Sequence, residues 1–192
     1  MRVLVVVDHP RADSFTQAVA ASFSAGLAGA RHDVERADLV AEGFDPRMTP
    51  GDEPDWGDSD KRYSRAVLAE QARIRRNDAV VMVFPVWWWS LPATLKGWID
   101  RVWNNGWAYG ARDLAGVKGM MIGIAATGED AYARRGYDRA IATQLDVGIL
   151  QYCGLSSGGV HVLYGSLEGD AARSAIIARA AELGRSFAAL FG

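Results

Sequence analysis

The sequence predicts an α/β fold in three layers, with one parallel sheet of five strands in the order 2-1-3-4-5 covered on both faces by helices. Three observations predict it. Val3–Val7, Val80–Phe84 and Val117–Ala125 are short apolar runs without alternation, the pattern of strands buried on both faces. Between the runs lie stretches with apolar residues at spacings of three and four, each a helix with one buried stripe. Strand and helix patterns then alternate to the end of the chain, without repeat or linker, which calls for parallel pairing through crossover helices. In that strand order the switch point lies between the first and third strands, and open α/β sheets bind ligands there, beyond the carboxyl ends of the strands.

In chain order, Val3–Val7 ends at Asp8-His9-Pro10. Ser14 then stands as a helix N-cap, and Phe15, Val19, Phe23 and Leu27 form a stripe that closes near Gly29. His32–Leu39 alternates and fits an edge strand. Glu42–Asp60, with Pro46, Pro50 and Pro54 and no periodicity, is a surface excursion. Lys61–Arg76 reads as a charged amphipathic helix carrying Tyr63, Val67, Leu68 and Ile74. Pro85 closes the central strand. Ser90 is the expected N-cap of the next helix, with Pro92 in its first turn and Leu95, Trp98, Ile99, Val102 and Trp103 as its stripe. After Val117–Ala125 come the loop Ala126–Asp130, a helix over Tyr137–Tyr152, a strand over Ser157–Leu163 and an alanine-rich helix over Asp170–Leu190. The whole span, 1–192, reads as one domain.

Composition narrows the function. A hydrophobic content of 49% with 23% charged residues is that of an ordinary globular chain. The net charge of −2, with no basic run, argues against nucleic acid as a partner. Cys153 is the single cysteine, so no intramolecular disulfide and no thiolate metal cluster is expected. His9, His32 and His161 lack ligand spacing, and no metal site is expected. The amino terminus has five apolar residues in a row, too few for a secretory core, and nothing approaches a membrane span; a cytoplasmic protein without membrane insertion is expected.

Six of the seven tryptophans lie between Trp87 and Trp107. Trp98 and Trp103 fall on the helix stripe and read as core. Trp87, Trp88 and Trp89 cannot all enter one core if extended, because successive side chains face opposite ways. At least one is therefore expected in the open, at a strand's carboxyl end, as a platform for a flat aromatic ligand. The segment His9–Gln17 joins a strand to a helix without a Gly-x-Gly-x-x-Gly or Walker pattern; it reads either as a simple capped helix or as an anion site made of free amides. Gly154-Leu-Ser156-Ser-Gly158 matches the nucleophile-elbow spacing, yet a strand follows it and no later histidine completes a triad, so the match is accidental.

Taken together, His9…Ser14-Phe15-Thr16, then Phe84-Pro85-Val86-Trp87-Trp88 with Leu91-Pro92, Leu95–Val102, Gly106-Trp107-Ala108-Tyr109 and the Thr127-Gly128 loop resemble the flavodoxin-like NAD(P)H:quinone oxidoreductases, the DT-diaphorase type and its bacterial relatives. The resemblance runs in order over Val3–Leu163. It implies a flavodoxin-like fold, a flavin cofactor (FAD, with FMN as the alternative), NAD(P)H as electron donor and a small quinone-like acceptor.

It also implies a homodimer whose subunits close each other's sites. Carried over by position, it assigns His9, Ser14, Phe15, Thr16, Gln17, Pro85, Val86, Trp87, Trp88, Ala126, Thr127, Gly128 and Glu129 to the cofactor. Trp89, Trp107 and Tyr109 would wall the substrate face, and Tyr132 and Tyr137 would act on the reacting oxygen. Two positions depart from the family pattern: Thr-Thr-Gly-Gly is here Ala126-Thr127-Gly128-Glu129, and Tyr137 stands at a frequent histidine. The expected activity is hydride transfer from NAD(P)H through the flavin to quinones or similar flat electrophiles. The alternatives are an electron carrier of the same fold, or a regulatory flavoprotein attached to a membrane transporter.

Overall fold

The structure, a computed structural model, describes residues 1–110 and 113–191; Ala111, Arg112 and Gly192 lie outside the described residues. Strand β1 (Arg2–Val7) leads into α1 (Phe15–Gly29), β2 (Asp33–Asp38), α2 (Arg65–Arg75), β3 (Ala79–Pro85), α3 (Ala93–Val102) and β4 (Lys118–Ile124). Next come α4 (Glu129–Arg135), α5 (Tyr137–Ile141) with a π-helical continuation (Ala142–Gln151), β5 (Ser156–Leu163), α6 (Asp170–Arg185) and a final 3₁₀ turn (Phe187–Phe191). The sheet order is β2-β1-β3-β4-β5 and every pairing is parallel. This is the flavodoxin-like arrangement that the alternation of strands and helices predicts.

Two cores sit on the two faces, and the period of two along each strand decides which side chain enters which. Val3, Val5 and Val7 of β1 pack with Phe23 and Leu27 of α1 and Ile176 and Leu183 of α6. Leu4 and Val6 face the other way, into a core with Leu95, Trp98 and Val102 of α3. Helices α1 and α6 touch through Gly26 and Gly184; a Cβ on Gly26 would stand 3.0 Å from the Gly184 Cα, so the close crossing needs glycine on both helices.

Several boundaries differ from the sequence reading, each for a local reason. Helix α2 starts at Arg65 and not at Lys61, because Ser64 caps it: its hydroxyl accepts from the Val67 amide at 3.4 Å. Tyr63 lies ahead of the helix, with its hydroxyl donating to the Asn105 carbonyl at 3.2 Å. Ser90 does not cap α3. Pro92 occupies the cap position, and the Leu95 amide is met by the carboxylate of Asp8, 87 residues earlier, at 2.8 Å. The excursion over residues 42–64 is strapped to α3 by a buried pair, with Arg101 Nη2 donating to Asp52 Oδ2 at 2.6 Å. Ser156 opens strand β5, so the Gly154–Gly158 stretch is no nucleophile elbow. Among the described residues no helix is long and apolar enough to cross a membrane.

Candidate active site

The carboxyl ends of β1 and β3 are hydrogen-bonded neighbours, and the loops that leave them meet at the switch point. On the β1 side, Ser14 adopts extended backbone and its hydroxyl accepts from the Gln17 amide at 3.3 Å, a helix cap in the expected place. The loop before it closes on itself: the Arg11 amide donates to His9 Nδ1 at 3.1 Å and the Ser14 amide to the Arg11 carbonyl at 3.3 Å. The amides of Phe15 and Thr16, in the first turn of α1, precede any intrahelical acceptor and concentrate partial positive charge there. The Gln17 side chain is committed elsewhere, donating to Asp38 Oδ2 at 2.6 Å and accepting from Arg36.

On the β3 side the chain does something the sequence did not suggest. Trp88 and Trp89 have φ of 51° and 56°, both in the left-handed region. Trp87 and Ser90 are bridged by two backbone bonds, Trp87 N to Ser90 O at 3.2 Å and Ser90 N to Trp87 O at 3.1 Å. Two central residues with positive φ between such a pair are the signature of a type I′ turn, which ordinarily carries Asn and Gly. Holding a side chain with a Cβ there costs roughly 1–2 kcal/mol per residue. The three tryptophans are therefore not extended. Trp88, at the tip, is 87% exposed, against 36% for Trp89. Trp89 lies on the Tyr137 ring, centroids 4.2 Å apart and planes 30° apart. The Trp87 ring stands 6.1 Å from that of His9, across the gap between the two loops.

These loops bound a cavity of about 230 Å³ lined by His9, Arg11, Phe15, Thr16, Pro85, Val86, Trp87, Ile124, Ala126, Ser166 and Leu167. Thr127, Gly128 and Glu129 border an adjoining open hollow with Asp130, Arg134 and Glu168. The β4 loop is held by the segment after β5: Gly165 N donates to Thr127 O at 3.0 Å and Leu167 N to Ala126 O at 3.2 Å. Gly136, at φ 71°, turns the chain between α4 and α5, and Tyr137 beyond it reaches the Trp87–Ser90 turn through Trp89, although neither Tyr132 nor Tyr137 lines the cavity. Tyr132 is buried, with its ring edge-on to Tyr137 at 5.9 Å and to Tyr164 at 5.1 Å. Burial raises the Tyr132 hydroxyl above its usual value of 10.0, so it keeps its proton at neutral pH.

Not every residue expected at the site comes to this cavity. Trp107 lies beneath the Arg75 guanidinium, 5.3 Å from the ring centre. Tyr109 lines a separate apolar cavity of about 490 Å³ with Met48, Trp56, Trp103, Tyr152 and Cys153. Around that cavity Trp103 is buried, whereas Trp56, Tyr152 and Met48 are exposed. Asp8 was missed. It is 2% exposed, lies one residue from His9, and is joined to α3 by the bond to Leu95. Burial raises its carboxyl above the usual 3.8, against the lowering effect of that bond. No signal in a single sequence points to a cap supplied from so far away.

A family model described as the flavodoxin-like fold matches residues 1–185. The chain is 37% identical over 163 residues, 84% of its own length and 83% of the relative's, to the protein named Uncharacterized NAD(P)H oxidoreductase YcaK of Escherichia coli (strain K12). It is 29% identical over 177 residues to Ribosyldihydronicotinamide dehydrogenase (quinone) of Mus musculus, covering 80% of this chain and 77% of that one. Among solved structures, the NAD(P)H:quinone oxidoreductase from Methanothermobacter marburgensis matches with a TM-score of 0.91 at 29% identity, over 98% of this chain and 97% of the other. With the sheet order, the switch-point cavity and these likenesses in agreement, the chain belongs to the family of the flavodoxin-like fold.

Proposed function

We propose that this chain is a flavin-dependent NAD(P)H oxidoreductase that reduces quinones or similarly flat electrophiles. The observation that carries the reading is the single cavity where the α1 amino terminus, the tryptophan turn and the end of β4 meet. The residues present fit a flavin nucleotide. The first-turn amides of α1 suit a phosphate. Pro85, Val86 and Trp87 offer an apolar wall to a flat ring, and the backbone of Ala126–Glu129 offers polar groups to its edge. When bound, the flavin supplies the hydride chemistry; the protein supplies orientation, donors and exclusion of water.

Within that division, His9 and Ser14–Gln17 hold the phosphate side, the Gln17 side chain serving by bracing the loop against β2. Pro85–Trp88 hold the ring, and Ala126–Glu129 border its polar edge. Trp89 walls the substrate face. The protonated Tyr132 hydroxyl is the donor for charge that develops on a substrate oxygen. Trp107 and Tyr109 reach no part of this cavity within one chain, so their place on the substrate face requires a second copy. A homodimer built on the open apolar face around Trp56, Tyr109 and Tyr152 meets that need and covers a patch that water disfavours.

The finer reading of the cofactor is FAD. A second hollow of about 570 Å³, lined by Phe15, Asp170, Arg173, Ser174 and Ile177, shares Phe15 with the first cavity, and Arg173 stands 4.5 Å from the Phe15 ring centre. A second nucleotide half placed there would leave its pyrophosphate at the α1 amino terminus; FMN would not use it. We take residues 1–192 as one cytoplasmic flavin-binding domain.

The test is the absorbance and mass of the co-purifying cofactor, with steady-state NADH and NADPH oxidation in the presence of menadione. A yellow protein releasing FAD and oxidising at least one of the two is expected. Release of FMN alone overturns the FAD assignment, and a colourless protein that cannot be reconstituted overturns the whole reading. Light scattering showing a fully active monomer at micromolar concentration overturns the dimer.

A further inference from the structure

We propose that Tyr137 is a positioning residue: acting through Trp89, it holds the Trp87–Ser90 turn in its left-handed form and so fixes where Trp88 stands at the mouth of the site. The assignment rests on the function proposed above for its meaning, but on geometry for its support.

The two Trp87–Ser90 backbone bonds close the turn, but its own side chains oppose the conformation. Positive φ at two successive tryptophans is opposed by the Cβ of each, and conformations of this kind persist only where the surroundings impose them. Apart from the His9 ring, 6.1 Å from that of Trp87, the side-chain contacts on this turn come from one segment. Trp89 lies on Tyr137 at 4.2 Å, closer than any other ring pair of the site, and the Ser90 hydroxyl donates to Gln144 Oε1 at 3.1 Å. Tyr137 opens α5 and Gln144 lies on its π-helical continuation, so both contacts are delivered by the same element. That element is aimed by Gly136, whose positive φ separates it from α4. π-Helical stretches are rare and cluster at functional sites, as a segment serving to present two side chains would.

The stack requires a ring and not a hydroxyl. Trp88, largely exposed, meets Trp89 edge-on at 5.8 Å and has no other ring neighbour in the site. Its placement therefore follows that of Trp89, and through it that of Tyr137. This leaves Tyr132, behind Tyr137, as the donor, and gives the position that departs from the family pattern a different task.

The experiment is a double-mutant cycle on the full-length protein with Tyr137→Ala, Trp89→Gly, their combination, and Tyr137→Phe. The flavin-free chain is followed by the circular-dichroism exciton band that Trp89→Gly removes, which sets aside the signal of the buried Trp98–Trp103 pair, and the loaded protein by its KM for menadione. Tyr137→Ala should abolish the band and raise KM roughly tenfold, the upper range of what one aromatic pair is worth, with a smaller change in kcat. Tyr137→Phe should restore both the band and the KM. With Trp89→Gly already in place, the further effect of Tyr137→Ala on KM should shrink to about twofold or less, because contacting residues couple. Three results would each overturn the proposal: a band that survives in Tyr137→Ala, a Tyr137→Phe variant that behaves like Tyr137→Ala, or additive effects in the cycle. The dichroism arm needs no turnover, so a chain that oxidises no NAD(P)H would refute the proposed function without deciding the role of Tyr137.

Discussion

Two loops face each other across the cavity, and they are stabilised by opposite means. In Asp8–Ser14 the backbone is satisfied locally, by His9 Nδ1, the Arg11 carbonyl and the Ser14 hydroxyl, and no residue in it has positive φ. In Trp87–Ser90 the backbone adopts a left-handed turn that its bulky residues oppose, and is kept there by a ring and an amide from another part of the chain. The first arrangement would serve as a holding device: its bonds are its own, and a phosphate bound there would meet the same amides every time. The second stores strain beside the substrate face, where a side chain must stand in the open and yet in one place. Retention of the phosphate should therefore depend on the first loop, and placement of the ring and of the substrate on the second.

The largest expected effect sharpens that division. Tyr132 is on the turn side, linked to it through Tyr137, and is held protonated by burial. Tyr132→Phe removes one donor and little volume. Loss of a well-placed donor of this kind is worth at most about 2.7–4 kcal/mol. Stopped-flow reduction by NAD(P)H should slow while cofactor affinity holds. A loosened cofactor with an unchanged rate would place Tyr132 on the holding side and break the comparison.

Asp8 is next, because it ties the two halves together from the end of β1 to the start of α3. Asp8→Ala leaves the Leu95 amide without its acceptor, at a cost of about 1–3 kcal/mol in urea unfolding. Asp8→Asn keeps a carbonyl for that amide and removes the charge. The folded carboxyl titrates above its usual 3.8, so its contribution is fully present below that value and is lost as pH rises through the folded value. Asp8→Asn should therefore gain stability relative to the native chain as pH is raised through this window. A difference that stays flat with pH would mean the carboxyl is not held above its usual value.

How much of this was open to sequence reading follows the same line. The sheet order, the switch point and the Ser14 cap were legible, because each depends on local pattern: apolar runs, a period of three to four, a hydroxyl ahead of a stripe. Ser64 was legible too, since its cap lies three residues before Val67, yet the apolar Tyr63 drew the helix start toward Lys61. The tryptophan turn was not, because Trp-Trp carries none of the Asn-Gly signal of a type I′ turn and its conformation is decided by Tyr137 and Gln144, about 50 residues on. Asp8 capping α3 was hidden for the same reason. Ser90, two residues before Pro92, offered a nearer and plausible cap, and the fold used a distant carboxylate instead. Tyr109 and Trp107 were placed near the flavin by likeness alone, and within one chain they line other surfaces.

The smallest effects set the two loops directly against each other. Ser14→Ala removes a satisfied cap from an unstrained loop and should destabilise the flavin-free protein by about 1 kcal/mol. Trp88→Gly acts in the other direction. At φ 51° glycine is at ease, so the change relieves roughly 1–2 kcal/mol of left-handed strain. It gives back about 0.5–1 kcal/mol through the freer unfolded chain. Little burial is lost, because the Trp88 side chain is mostly in solvent. The flavin-free Trp88→Gly protein should thus be as stable as the native chain or more stable by up to about 1.5 kcal/mol, the balance of those two effects. Its affinity for flavin should fall, by an amount set by one lost aromatic stack, about 0.5–1.5 kcal/mol. Urea unfolding of the two variants without cofactor, followed by flavin titration of each, separates the effects. If Trp88→Gly is destabilised as much as Ser14→Ala, the turn holds no strain, and the two sides of the cavity are built alike.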